Sequence, residues 1–297
     1  MMHIALDLTH VPTLVFDRSP GYWRTVASRL VRDRVAMGAL VVVVALLLMA
    51  VFGPWLAPAD PYASSMLKRL KPIGFEGHPL GTDELGRDML SRLIVGARLS
   101  LFMGIAPVVL AFFIGSFIGI TAGYAGGPLN TVMMRTIDVF YAFPSVLLAI
   151  ALSGALGAGI TNSLISLTIV FIPPIARVAE SVTTQIRSRD FVDAARASGA
   201  NAFTIVRVHV LGNVLGPIFV YSTSLIAVAM ILASGLSFLG LGVKPPEPEW
   251  GLMLNTLRTA IYVQPWIAAL PGLMIFATSI AFNLLADGLR SAMEIKQ

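Results

Sequence analysis

Residues 34–60 read RVAMGALVVVVALLLMAVFGPWLAPAD, and between the arginine at one end and the aspartate at the other no charged side chain occurs. As a helix, residues 35–52 alone are long enough to cross about 30 Å of hydrocarbon, where every backbone N–H and C=O must be satisfied within its own segment. This is a first membrane span. Ala57-Pro58-Ala59 looks like a signal-peptidase site, but the run exceeds the roughly 7–15 apolar residues of a signal peptide and its leader is too long, so the segment reads as an uncleaved anchor.

The rest of the chain has the same character. Of 297 residues 56% are hydrophobic and only 12% charged, with a mean hydropathy of +0.81, whereas soluble domains carry about 25% charged residues. Charge-free intervals recur at 98–135, 138–177, 207–244 and 258–287. The second is too long for one helix, and Gly154, Gly157, Gly159 and Asn162 are placed to divide it. The expectation is an all-α integral membrane protein with six spans, near 35–55, 100–122, 136–154, 162–182, 217–239 and 266–287.

An even number of spans puts both termini on one side. Of the 21 Lys+Arg, 13 fall on that side and 8 on the other, so the positive-inside rule makes both termini cytoplasmic. The loop from 60 to 98 runs against the count with six basic residues, but long loops translocate largely regardless of charge. The net charge of +5 is therefore read as topology and not as affinity for nucleic acid.

Two amphipathic stretches flank the first span. Ser19-Pro20 reads as a helix start, after which Trp23, Val26, Ala27, Leu30 and Val31 oppose Arg24, Arg29, Arg32 and Arg34, the pattern of an interfacial helix on the cytoplasmic surface. Beyond the span, Leu85, Met89, Leu90, Leu93, Ile94 and Ala97 share one helical face, with Asp88 and Arg92 as an i,i+4 pair on the other, predicting an amphipathic helix that feeds the second span.

Between the fourth and fifth spans, residues 187–217 read RSRDFVDAARASGANAFTIVRVHVLGNVLGP, a charged, helix-prone island where a soluble partner could grip. Small Ala194 and Ala195 would let a short helix sit deep in a groove, Gly199 can end it in a left-handed conformation, and Asn201 is placed to cap a second helix. Asp193, Ala194, Ala195, Arg196 and Gly199, with Ala200 beside them, resemble the "EAA" loop of ABC-importer permeases, except that the family's glutamate is Asp193 and its later proline is Gly212. HPLGTDELGRDMLSRLIVGARLSL at 78–101, LSFLGLGVKPPEPEW at 236–250 and FNLLADGLR at 282–290 resemble C-type subunits of the dipeptide/oligopeptide/nickel importers, the last departing at Ala286 and beyond Arg290.

The resemblance covers most of the chain. It implies the type I ABC-importer permease architecture, with residues 1–34 a cytoplasmic tail and interfacial helix, 35–98 the first span and an extracytoplasmic loop, and 99–290 the core permease. It also implies a homologous permease partner, an extracytoplasmic substrate-binding protein, and two ATP-binding subunits that dock on residues 193–200. ATP and magnesium would be held by those subunits, and this chain would carry neither cofactor nor catalytic residue. Di- or oligopeptides are the implied cargo, with nickel and glutathione systems sharing the same motifs.

The residues themselves point the same way on energy. No GxxxxGK[ST] phosphate loop occurs, and every charge falls at a predicted helix end, leaving no mid-membrane ionisable residue for ion coupling. The alternatives are a channel or secondary carrier that works without ATP, and a membrane scaffold. Cysteine is absent, and His3, His10, His78 and His209 have no ligand spacing, so a metal site is not expected.

Gly115, Gly119 and Gly123, every fourth residue, would bare one helix face for close packing. Pro107, Pro144, Pro173-Pro174 and Pro271 interrupt spans, which suits a gated pathway and equally suits the ordinary frequency of proline in membrane helices. The thirteen methionines fit either an adaptable lining or packing. The proline-rich loop 244–250 reads as a stiff extracytoplasmic element with Trp250 returning to the interface, either touching a binding protein or simply connecting two spans.

Overall fold

The computed structural model describes residues 21–293, and among them the regular secondary structure is helical, with two isolated β-bridges in the loops. Eleven α-helices follow in order: α1 (Tyr22–Arg32), α2 (Arg34–Leu56), α3 (Met89–Ala125), α4 (Gly127–Tyr141), α5 (Ser145–Leu156), α6 (Ile160–Arg187), α7 (Asp190–Ala197), α8 (Ala202–Ile205), α9 (Leu211–Phe238), α10 (Trp250–Thr256) and α11 (Pro265–Met293). Five are long and apolar enough to cross a membrane: α2, α3, α6, the continuous run 202–238 ending in α9, and α11.

The expected third span is not one helix. It starts earlier, at Gly127, and breaks between Tyr141 and Ser145 into α4 and α5, which meet at 86°. Pro144 is the cause: its ring excludes helical geometry from the residue before it and its missing N–H cannot continue the ladder. The bent pair still makes a sixth crossing. At its start Asn130 Nδ2 donates to Glu180 near the end of α6, whereas beyond α5 the Gly159 N–H and Ser163 Oγ donate to Leu241 O at the far end of α9. About 30 Å of α6 separates those two levels at 1.5 Å per residue. Gly154 lies inside α5, and the chain turns only at Gly157 and Gly159, both at positive φ, with Asn162 Nδ2 capping the Leu156 and Gly157 carbonyls.

The largest helix contact is α3 against α6, and the glycine repeat sits in it. A Cβ on Gly115 would stand 3.0 Å from Ile172 O, one on Gly119 would stand 2.3 Å from Ala176 O, and one on Gly123 would stand 2.7 Å from Glu180 O. Without side chains the two backbones approach closely enough for dispersion contacts and Cα–H···O bonds, the forces that hold helices together where lipid removes the hydrophobic drive. Around this pair run two apolar cores. One joins α3, α6 and α9 with buried Val192, Ile205 and Val210 from the α6–α9 connection; the other joins α2, α3, α9, α10 and α11.

Three local expectations change. The helix feeding the second span begins at Met89, with Asp88 as its N-cap receiving the Ser91 N–H and Oγ, and Leu85 lies outside it. Asp88 and Arg92 do not form an exposed pair; both are buried, and Arg92 faces Asp83 at 3.4 Å instead. Capping the first turn took the aspartate away from its i,i+4 neighbour. Charges also occur away from helix ends: Asp138 of α4 pairs with Arg177, ten residues short of the end of α6, because α6 runs well beyond the apolar part of its length. Of the N-terminal helix, Ser19 and Pro20 lie outside the described residues; α1 packs on α11, with Val26 buried and Val31 exposed.

Candidate functional site

The α6–α9 connection projects from one end of the bundle as a helical hairpin. α7 carries Asp190 and Asp193 in its first turn and Arg196 in its last, which complements the helix dipole. Its end is closed twice: the Gly199 N–H donates to Arg196 O at 2.9 Å and the Ala200 N–H to Ala195 O at 3.1 Å. Gly199 has φ +83°, in the left-handed region, and no atom stands within 4 Å of where its Cβ would be. Asn201 Oδ1 then accepts the Thr204 N–H at 2.8 Å and starts α8, which runs through a π-helical turn, Val206–Val210, into α9.

The hairpin has an anchored face and a free face. Val192 and Ile205 are fully buried, and Ala195 and Ala200 pack partly buried against the same core that holds α3, α6 and α9. Arg196 lies over the ring of Tyr124, at the last turn of α3, with 5.9 Å to its centroid, and pairs with Asp193 at 3.0 Å. On the outer side Asp193, Ala194 and Gly199 are exposed, together with Phe191 and Phe203, the latter 74% exposed. Two exposed aromatic rings on a short hairpin, Phe191 also tilted against the His209 ring, have the form of interface anchors. Sequence reading passed over them; apolar residues punctuating an otherwise polar island were the available signal.

The opposite end of the bundle is built from residues 57–88 and 239–264. Arg87 Nε donates to Asp83 at 2.7 Å, Arg92 donates to Pro61 O at 2.9 Å, and Tyr62 Oη donates to Glu247 at 3.0 Å. His78 Nδ1 lies 3.0 Å from Asp88 and its Nε2 3.3 Å from Lys68 Nζ, contacts that a neutral ring protonated on Nδ1 satisfies together. Trp250 is not at the interface: it is fully buried, and its indole N–H donates to Leu93 O at 3.0 Å. Glu249 caps α10 through the Gly251 and Leu252 N–H groups, both at 2.8 Å, and accepts from Ser100 of α3. Burial pushes its carboxyl above the ordinary range despite those two backbone donors. The proline-rich loop is thereby fastened to the loop after α2 and to α3. No property of residues 60–88 or 244–250 taken separately announces that they form one layer.

Within the membrane zone the bend between α4 and α5 opens a cleft of about 250 Å³ against Pro173 and Pro174 of α6, walled by Phe140, Tyr141 and Phe143. Three of the interrupting prolines thus converge on one place.

A six-crossing bundle with a short helical hairpin before its fifth crossing matches the family described as "Binding-protein-dependent transport system inner membrane component" over residues 115–295. The chain belongs to that family. Residues 21–72 of this permease also match the N-terminal transmembrane domain of oligopeptide transport permease C. It is 40% identical over 274 residues to the glutathione transport system permease protein GsiD of Pectobacterium atrosepticum, covering 92% of this chain and 91% of the relative. It is also 40% identical over 292 residues to the di/tripeptide transport system permease protein DppC of Pseudomonas aeruginosa, covering 96% and 95%. The fold agrees with an inward-facing form of the MetNI methionine ABC transporter at a TM-score of 0.56 and 18% identity, over 69% of this chain and 97% of the other. The type I permease fold expected from the sequence is therefore the fold found.

Proposed function

We propose that this permease forms, with a homologous permease, the path by which a bacterial ABC importer takes up short peptides across the inner membrane, with glutathione inside the substrate range. The named cargo of its 40%-identical relatives, di/tripeptides and glutathione, supports this range. Both termini and the α7–α8 hairpin face the cytoplasm, the charge count being the support. Two ATP-binding subunits, holding ATP and magnesium, dock on the hairpins of the permease pair, and a binding protein delivers cargo to the layer of residues 57–88 and 239–264.

The observation that carries the mechanism is the two-faced hairpin. An ATP-driven movement of a subunit seated on Phe191, Asp193, Ala194 and Phe203 reaches Val192 and Ile205, which are embedded in the core of α3, α6 and α9. Arg196 on Tyr124 passes the same displacement to the end of α3. Because α3 and α6 are locked through the glycine contact, they respond as one body, and the compliant place is the α4–α5 bend. Closely packed helices transmit displacement; a proline break absorbs it.

The test is Ala194→Trp. Ala194 is exposed, so the variant should fold, insert and pair with the sister permease, yet lose ATPase co-purification and peptide-stimulated ATP turnover. Normal recruitment and turnover in this variant would remove the hairpin as the docking element.

A further inference from the structure

A second concavity lies away from the hairpin and the bend. Where α2 ends, a cavity of about 870 Å³ opens between the last turn of α2, the first turns of α3 and the proline-rich loop, and its wall carries Asp60, Arg98 and Glu247. An apolar groove of about 590 Å³ adjoins it, running between α2 and α3 past Leu47, Val51 and Leu110. Arg98 and Phe102 line both. Arg98 is exposed and has no ion pair among the described residues.

Position against the membrane identifies the occupant. The 23 residues of α2 rise about 35 Å at 1.5 Å per residue, close to the hydrocarbon thickness, so Leu56 stands near its boundary. Trp55, 80% exposed, marks the same level as an aromatic-belt residue. The polar cavity therefore sits among headgroups, and the groove descends one to three turns into the acyl region. A single chain of lipid fits this succession; a soluble peptide has no use for the groove.

Charge selects the headgroup. A lone arginine at this level would favour anionic lipid, but here the cation shares its cavity with two carboxylates. Each carboxylate already holds one donor, Asp60 the Tyr62 N–H at 2.8 Å and Glu247 the Tyr62 hydroxyl at 3.0 Å, and both keep acceptor sites to spare. We propose that the site binds one zwitterionic aminophospholipid, its phosphate on Arg98, its ammonium between Asp60 and Glu247, and one acyl chain in the groove between α2 and α3. The lipid fastens the anchor helix to the core at the end where Gly53 meets Ile94 O.

The experiment uses the full chain, extracted from vesicles of equal phosphatidylethanolamine and phosphatidylglycerol and examined by native mass spectrometry. Wild type should retain phosphatidylethanolamine in preference to phosphatidylglycerol. Arg98→Gln removes a charge-assisted bond and should lower retention about tenfold. Ala106→Phe fills the groove without touching a charge and should lower it too, which keeps the test valid if the arginine variant folds poorly. The Asp60→Asn, Glu247→Gln pair leaves the Tyr62 acceptors in place and should turn the preference toward phosphatidylglycerol. Equal retention of the two lipids by wild type, no loss in either Arg98→Gln or Ala106→Phe, or cross-linking of a photoreactive residue at Phe102 to a protein chain would each overturn the proposal.

Discussion

Gly119→Ala adds one methyl group at the tightest point of the helix pair that carries the fold. The new Cβ would stand 2.3 Å from Ala176 O, 2.6 Å from Ala179 Cβ and 2.8 Å from the Glu180 N. Two of those three atoms are backbone, so relief requires α3 and α6 to separate, and separation thins the contacts at Gly115 and Gly123 on the same face. Overpacking of this kind costs about 1–3 kcal/mol, and the upper half applies here because no flexible side chain can yield. Gly212→Ala is the control: it too is helical, with nothing within 4 Å of its Cβ, and should be neutral or better by up to about 1 kcal/mol from helix propensity. The assay is the mixed-micelle denaturation midpoint of the purified chain in both variants, read with helix content to confirm the folded baseline. If Gly119→Ala is as stable as wild type, the α3–α6 contact is not a closely packed joint, and the transmission of hairpin movement through it loses its basis.

Other expectations follow from single features. Gly199→Pro removes the N–H that bonds Arg196 O and cannot reach φ +83°, so it should abolish ATPase recruitment, while Asp193→Glu should leave recruitment intact; pull-down with the ATPases checks both. Because the chain has no cysteine, single-cysteine variants report topology cleanly: Ser64→Cys should react with an impermeant thiol reagent outside intact cells and Ser188→Cys should not, and labelling of Ser188→Cys alone would invert the orientation. Glu249 titrates above its ordinary value of 4.5, so the charged form is the one the fold disfavours. Its effect is absent below the unfolded value, stability falls as pH rises from there through the folded value, and it is level above; Glu249→Gln should flatten that slope in thermal melts across the acid range.

What the sequence discloses and what it withholds divide by interaction range. The spans could be read because hydrocarbon forces each segment to satisfy its own backbone, so a property of some twenty consecutive residues decides the element. The hairpin's closure was legible for the same reason: Gly199 and Asn201 act on neighbours within five residues. Asp88 shows where such reading fails. Its i,i+4 relation to Arg92 was real in sequence, but capping at Ser91 and a bond to His78, ten residues back, won the side chain. Trp250 fails in a second way, since its interface-like flank gave no sign of Leu93 more than 150 positions earlier.

The bend between α4 and α5 joins the two ranges. Pro144 sets the break locally, yet in hydrocarbon a broken ladder survives only where neighbours shield the freed groups or water reaches them. In this protein the shield is α6, which brings Pro173 and Pro174 to the same level and leaves a cleft lined by Phe140, Tyr141 and Phe143. Two interrupted helices facing one another cost more than one, because each exposes carbonyls the other cannot donate to. A break of this kind is softer than a continuous helix, and this bend can absorb hairpin motion without breaking the glycine joint. The α4–α5 angle should therefore change between the ATP-bound and free states of the assembled transporter while the α3–α6 distance at Gly119 stays fixed. Paired spin labels at Val139 and Leu147, against a pair at Phe117 and Val182, would measure both, and a change confined to the second pair would refute the division into a rigid joint and a compliant bend.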